Sequence, residues 1–491
     1  MNKHRLFWIT TILALTLTLF PAAAQDTPPA TQGGWTQGAP MPTRRSELAS
    51  ALLDGNIYVA GGIGENWTTR TEVERYSIAA NTWKTVAPLP IGLNHLGMAA
   101  LDGHLYVTGG YTDVNFTVDQ TATYAYDPSA NAWTRLADMP APRAAHAMVA
   151  ADGKLYVIGG VGPRATETWS YDPAADSWDA SLPAMPIPRE HLASVSFGEL
   201  FYGIGGRADG NNLGTFSQYE IPFSRWSEPL PNLPTPRGGL TAAAIDGIIH
   251  VTGGEAFDPS ATFAQHEVFK YGEWTTAEPL PIARHGLTSA AYQGRWYVIG
   301  GAAEASDRTA ATVTDRVDIY TVRAAYPQAT ETGIASVDEL IKARLTNDID
   351  ALKNQVQYLT LNCIVKGEGL GSPPLCADGE AAGTPVEVLP MLSGEGTFVR
   401  RADIDSQLQA AHYSLLTVYK VADDQSNDPN FPSGDYGVVF VNEDQPFFNA
   451  LNYRVSDKGI VRIDTGAWPD MVTGYGVGDF ILPPLVPLSP A

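Results

Sequence analysis

Six glycine pairs recur along this chain at nearly constant spacing, and no other feature restricts its fold as much. They stand at Gly61-Gly62, Gly109-Gly110, Gly159-Gly160, Gly205-Gly206, Gly253-Gly254 and Gly300-Gly301, 46 to 50 residues apart. All but one close an apolar run headed by a turn dipeptide, and the fullest copies read DGNIYVAGG, DGHLYVTGG, DGKLYVIGG and DGIIHVTGG. A period of this length marks a repeat architecture, in which each unit is one small sheet that cannot bury its faces without its neighbours.

A tryptophan series keeps the same step: Trp35, Trp83, Trp133, Trp178, Trp226 and Trp274. Four of these follow a tyrosine by seven residues, at Tyr76, Tyr126, Tyr171 and Tyr219. In this order, glycine pair, tyrosine and tryptophan resemble the kelch repeat over residues 34–323. The resemblance implies a β-propeller with one four-stranded blade per repeat. Two units depart from the pattern. Tyr271 precedes Trp274 by only three residues, which predicts a shortened outer turn, and Phe197-Gly198-Glu199 replaces the Asp-Gly turn in the fourth unit.

Trp35 comes before any glycine pair, whereas the last pair is followed by Val317-Asp318-Ile319-Tyr320 and no tryptophan. Joining the two ends completes the sixth unit and leaves no open sheet edge. The expected architecture is therefore an all-β, six-bladed propeller closed by its N-terminal strand and followed by a smaller α+β domain. Within a blade, the small apolar inner strand turns at Asp-Gly into a second strand ending at the glycine pair; the third strand carries the tyrosine and the fourth the tryptophan. Antiparallel order then puts the long second-to-third loops and the blade-to-blade connections on one face. Loops on a rigid scaffold concentrate binding groups, so this is the expected working face.

Lys3 and Arg5 precede an apolar stretch from Leu6 to Phe20 and then Pro21-Ala22-Ala23-Ala24. This reads as a secretory signal over residues 1–24, cleaved after Ala24, and predicts a periplasmic or secreted protein with no remaining membrane span. Residues 25–33 and 324–334 read as linkers. Over 335–491, Ser336 and Glu339 suggest a capping box, a second helix begins near Asn347, and a further helix near Ala402 to Ala411 interrupts alternating strand-like stretches.

The formal charge of −22 becomes −24 on loss of Lys3 and Arg5, an excess that repels nucleic acid and anionic lipid. Cys363 and Cys376 are the only cysteines; in an exported chain they predict a disulfide, and two cysteines do not make a four-cysteine zinc site. No phosphate-loop, dinucleotide or metal motif is present, so no metal and no cofactor is expected, and the protein is expected to act as a monomer.

The connections entering the inner strands read MPTRRSEL, LPIGLNHL, MPAPRAAH, MPIPREHL, LPTPRGGL and LPIARHGL. They place Arg45, Leu93, Arg143, Arg189, Arg237 and Arg284 at one register and Glu47, His95, Ala145, His191, Gly239 and Gly286 two residues on. Two readings of the five arginines stand. Either each pairs with a loop carboxylate or caps blade carbonyls, or together they line a channel mouth whose guanidinium forks hold an anion. In kelch proteins that bind acidic peptides, arginines at this place in the repeat make such contacts. His95 and His191, with Glu47 and Glu190, are the acid-base candidates; Trp67, Tyr111, Phe116, Phe257 and Phe263 are candidates for stacking on a sugar or for packing their own loops.

These features point first to an interaction module binding a protein, a carbohydrate or an anionic ligand such as an acidic peptide or sugar acid. A second reading is a carbohydrate-active enzyme of the sialic-acid mutarotase kind, which also uses an exported six-bladed kelch propeller and no metal. A third is an envelope scaffold without a small ligand. Copper radical oxidase chemistry is excluded, because it needs a cysteine cross-linked to tyrosine and residues 34–323 contain no cysteine.

Overall fold

The computed structural model describes residues 34–482 apart from 228, 246–247, 271, 307–308, 323–325, 327–329, 367–371, 393–395, 409–412, 423–428, 443–448 and 468–476. The expected secretory leader, its expected cleavage point and the lead-in of residues 25–33 fall outside the described residues.

Six sheets, each with four principal antiparallel strands, follow one another along residues 35–321. The first comprises Ala49–Leu53, Asn56–Ala60, Val73–Ser77 and Thr82–Val86. The last is assembled from both ends of the region: Trp35–Gln37 pairs with Val317–Thr321, Trp35 opposite Tyr320. In the fifth sheet the outer hairpin tightens between Lys270 and Glu273, where the early tyrosine predicts a shortened turn. Its second strand runs on past the glycine pair to Phe257 and pairs with Ser260–Thr262.

Apolar side chains are buried between successive blades. Tyr58 and Ala60 of the first sheet pack with Met98, Leu105 and Val107 of the second, and Ile57 and Val59 pack with Tyr297 and Ile299 of the sixth. Inner strands carry small residues because they crowd toward the axis; the Ser50 hydroxyl meets that of Thr288 at 2.7 Å from the neighbouring blade. At the rim, the Tyr76, Tyr126 and Tyr171 hydroxyls donate to Asn81, Asn131 and Asp176 in the tight turns that follow. The Trp83, Trp133 and Trp178 indoles donate to Ala39, Ala87 and Ala137 carbonyls in the segments leading into their blades.

The glycine pairs latch each blade to the next. The second glycine of each pair donates its N–H to the carbonyl at the arginine register of the following blade, from Gly62 to Leu93 through to Gly301 to Arg45, over 2.8 to 3.0 Å. Gly62 has φ +100, and a Cβ there would stand 2.6 Å from the Ser46 carbonyl oxygen. Glycine is required on both counts.

In the C-terminal region, helices α1 (Ala335–Leu345) and α2 (Ile349–Gln355) accompany a mixed sheet. Val337, Leu340 and Ile341 of α1 share one core with Leu415, Val418, Val438, Phe440 and Tyr453 of the strands. The expected capping box does not form. Helix α1 starts at Ala335, and Asp338 turns back to accept from the Thr332 and Gly333 N–H groups. The expected helix near 402–411 is a short 3-10 turn over Arg401–Ser406, its last residues lying outside those described. Strands Pro385–Leu392, Thr397–Arg400 and Val477–Leu482 were not anticipated; proline at both 385 and 390 disguises the first. Cys363 and Cys376 are joined as a disulfide.

Two substitutions test the latch. Gly62→Ala should cost more than about 2 kcal/mol in chemical unfolding, combining left-handed strain with the clash against Ser46. Gly103→Ala has φ +74 but open space around its Cβ, and should cost about 1 kcal/mol. Equal losses would show that interblade approach is not what the pair serves.

A pH response follows from the closing seam. His266 Nδ1 donates to the Glu278 carbonyl, and its Nε2 accepts from His250 Nδ1 at 2.9 Å. Burial holds both rings neutral, with His250 lowered to about 3 and His266 to about 4, while an unfolded histidine titrates near 6.5. The unfolded chain therefore binds more protons below that value, so this stability is complete above pH 6.5 and lost as pH falls toward 4. Denaturant midpoints at pH 7 and 4.5 should differ, and His250→Gln should reduce the difference.

Candidate functional site

The entry to each inner strand makes the same two-residue contact with the segment beyond its own glycine pair. Ser46 faces Ile63, Asn94 faces Tyr111, Ala144 faces Val161, Glu190 faces Arg207, Gly238 faces Glu255 and His285 faces Ala302. This fastens the second-to-third loops and the blade entries to the same face, as expected from antiparallel order.

The arginines preceding these contacts are consumed by the blades. Arg45, Arg143, Arg237 and Arg284 have no solvent exposure and Arg189 only 2%. Arg45 pairs with Glu74 at 2.6 Å and donates to the Gly61 and Glu72 carbonyls. Arg237 pairs with Glu267 at 2.7 Å, and Arg284 pairs with Asp318 at 2.8 Å. Arg189 caps the Gly203 and Gly205 carbonyls; Arg143 lies 3.5 Å over the Trp169 ring and donates to the Glu167 and Arg164 carbonyls. The anion-binding mouth is thus corrected to the packing reading. A guanidinium buried this deeply must spend most of its donors locally, and these do so within the blades, with only the Nε of Arg45, Arg143 and Arg237 left without a partner.

Two residues further on, the backbone forms a closed hydrogen-bonded circuit. The N–H of Glu47 donates to Gly286, His95 to Glu47, Ala145 to His95, His191 to Ala145, Gly239 to His191 and Gly286 to Gly239, over 2.7 to 3.0 Å. All six residues have φ between 51° and 67°. For the four that are not glycine this left-handed conformation is strained, and strain of that kind persists only where the surroundings enforce it.

The circuit brings together side chains from distant blades. Glu47 Oε2 lies 3.2 Å from His95 Nε2, and the His95 and His191 rings stand 4.9 Å apart edge to face. Glu190 Oε2 contacts His191 Nδ1, and its other oxygen receives Arg207 Nε at 3.0 Å. Arg207 also pairs with Glu255 at 2.9 Å. His285 Nδ1 is 3.4 Å from both Glu47 and Glu255, with Nε2 donating to the Glu304 carbonyl. Gly286 makes room for this arrangement, since a Cβ there would fall 2.2 Å from Glu47 Oε1.

Charge within the cluster is uneven. Burial opposes ionisation of His285, but the Glu47 and Glu255 carboxylates outweigh it and raise its pKa. Burial likewise opposes ionisation of Glu47, yet the surrounding histidines hold its pKa far below the usual carboxylate range. His95 and His191 are driven toward the neutral form, mainly by burial.

Of the loop aromatics, Tyr111 is buried, standing 5.8 Å from the His95 ring, and Phe116 lies 5.0 Å from it. Trp67 meets Phe116 at 6.2 Å, and both join Ile63, Ala302 and Val313 in a small apolar cluster. Phe257 is 46% exposed and lies 4.4 Å under the Arg207 guanidinium, while Phe263 is 6.0 Å from that of Arg237. Sequence reasoning brought Glu47, His95, Glu190 and His191 forward but missed Arg207, Glu255, His285 and Asn94. The available signal was register: each missed residue directly follows a glycine pair or the arginine position.

The sheets over residues 35–321 form a kelch-repeat β-propeller. Residues 44–90 match the family described as Kelch motif, and residues 95–254 the KLHDC2/KLHL20/DRC7 Kelch-repeats domain. A solved protein with the same fold, titled Structure of YjhT, is 18% identical with a TM-score of 0.50, covering 57% of this chain and 95% of its own. No curated protein matches the chain.

Arg237 provides the test of the packing reading. Arg237→Ala leaves Glu267 buried without its partner and should cost about 3–5 kcal/mol in urea unfolding. A loss below about 1 kcal/mol would mean the guanidinium is not structural.

Proposed function

We propose that this protein is an exported interaction module that docks a protein or carbohydrate partner on the loop-bearing face of its propeller. The observation that carries the reading is the convergence of all six blade entries on that face around the histidine–glutamate cluster, beside the exposed Phe257 ring. Kelch propellers commonly serve protein binding. The apolar N-terminal stretch and the Cys363–Cys376 disulfide support placement outside the cytoplasm. The anionic-ligand version loses its main support with the burial of the five arginines.

A second reading, acid-base catalysis of the mutarotase kind, is favoured by one arrangement. His95, its pKa lowered by burial, stands 3.2 Å from the Glu47 carboxylate, and His285, its pKa raised against burial by Glu47 and Glu255, lies on the other side of that carboxylate. A proton donor and a proton acceptor within one small site are what anomer exchange requires.

Thermal shift with neutral sugars, sugar acids and polar peptides separates the readings. A true ligand at about 100 times its Kd stabilises by about 2.7 kcal/mol, and Phe257→Ala should reduce that shift. A shift indifferent to Phe257→Ala would place binding elsewhere. Proton NMR should show faster anomer exchange only if the enzyme reading holds.

A further inference from the structure

Glu47, His95 and His191 each offer one donor atom to a common space, and these atoms all lie within 4.8 Å of one another. We propose that they form a binding site for a divalent first-row transition metal, held at the axis of the propeller with open coordination positions. Nothing in the sequence suggested it, because the three residues come from three blades, 144 positions apart from first to last. The inference does not depend on the docking reading above.

Asn94 Nδ2 donates to Thr69 Oγ1 and to the Asp113 carbonyl, so its amide oxygen faces His95 Nδ1 at 2.7 Å. His95 Nδ1 is therefore the protonated nitrogen, and Nε2 points its lone pair at Glu47 Oε2 across 3.2 Å. Two acceptors so placed need something positive between them. A proton joins two such atoms; a metal ion joins three, and His191 supplies the third. Donors bound at about 2.0–2.1 Å to one tetrahedral ion stand about 3.3 Å apart, close to the 3.2 Å between His95 Nε2 and Glu47 Oε2.

Metal-ligating histidines usually give their other ring nitrogen to a carboxylate or carbonyl. His95 gives Nδ1 to the Asn94 amide oxygen, and the His191 ring lies against the Glu190 carboxylate. Glu47 is steadied through its second oxygen by His285 at 3.4 Å. All three ligands spring from the hydrogen-bonded backbone circuit, which fixes their spacing before any ion arrives.

Three carboxylates, Glu47, Glu190 and Glu255, are gathered here with a single guanidinium, that of Arg207, paired to two of them, and Glu47 lies outside that pairing. Two imidazoles and one carboxylate form a donor set suited to zinc, iron or cobalt in their divalent states, more than to calcium or magnesium, which favour all-oxygen cages.

Chelator-treated full-length protein, dialysed free of chelator, should take up one equivalent of Zn²⁺ by titration calorimetry. With Co²⁺ it should show the visible absorption of a nitrogen- and oxygen-ligated ion, which Zn²⁺ then displaces. His95→Ala and His191→Ala should each weaken Zn²⁺ binding at least about 100-fold, whereas His104→Ala, at the start of the strand that follows the Asp102-Gly103 turn on the opposite face, should leave it unchanged. Circular dichroism of each variant checks that it is folded, and the Co²⁺ spectrum needs no variant. Absence of stoichiometric Zn²⁺ and Co²⁺ binding by the unaltered protein, or equal affinity in folded His95→Ala, would overturn the proposal. Metal binding without any partner on the loop face would leave this inference standing and count against the docking function.

Discussion

Close approach of backbones at the axis is the constraint from which the rest of the propeller follows. Each second glycine of a pair must reach the carbonyl of the next blade, and six such bonds carry the chain around to Arg45. A side chain at Gly62 would block that approach, which is why the glycine pairs persist through every unit while other positions drift. The apolar faces are buried because each blade has a neighbour on both sides, the last being supplied by the short strand at Trp35.

The arginines and the residues two positions beyond them show how repetition and function separate in such a chain. Five blades carry arginine at one register, and in each the guanidinium is buried among carbonyls, carboxylates or an aromatic ring. A residue repeated at the same place meets nearly the same surroundings in every blade, so it is best suited to holding blades together. At the axial register the identities instead differ, as Glu47, His95, Ala145, His191, Gly239 and Gly286. Backbone geometry there is uniform, with six similar φ angles and one circuit of bonds. Chemical variety on a uniform frame creates a site at the centre of a nearly symmetric molecule, with small residues such as Gly286 leaving space for larger neighbours.

This explains what could be read in advance. Blade phase, the tight outer turns and the joining of Trp35 to the Tyr320 strand follow from local patterns that recur, so periodicity exposes them. Which side of a buried strand entry an arginine occupies does not follow from spacing, because the Glu74, Glu267 and Asp318 partners lie about thirty residues away on another strand. The cluster itself was half legible. His95 and His191 stood out as titratable residues at a repeated register, whereas Arg207 and Glu255 looked like ordinary loop charges beyond a glycine pair. In the C-terminal region, strands with plain alternation such as Tyr413–Val421 were readable, and Pro385–Leu392 was hidden because proline ordinarily argues against a strand.

Electrostatics adds a last step. The chain carries a large negative charge, and arginines gathered around one pore would seem to reverse it locally. They do not, because three of the five are matched by buried carboxylates and the other two by carbonyl dipoles and the Trp169 ring. The groups left at the axis therefore keep the sign of the whole molecule. Desolvation sharpens the consequence, since a partly buried carboxylate beside neutral imidazoles attracts a cation more strongly than the same groups would in water. An anion entering there would meet the Glu47, Glu190 and Glu255 carboxylates at close range unless a cation came first. A positively charged centre held between Glu47 and the two histidines would reverse that preference, turning a site that repels acidic groups into one able to hold them.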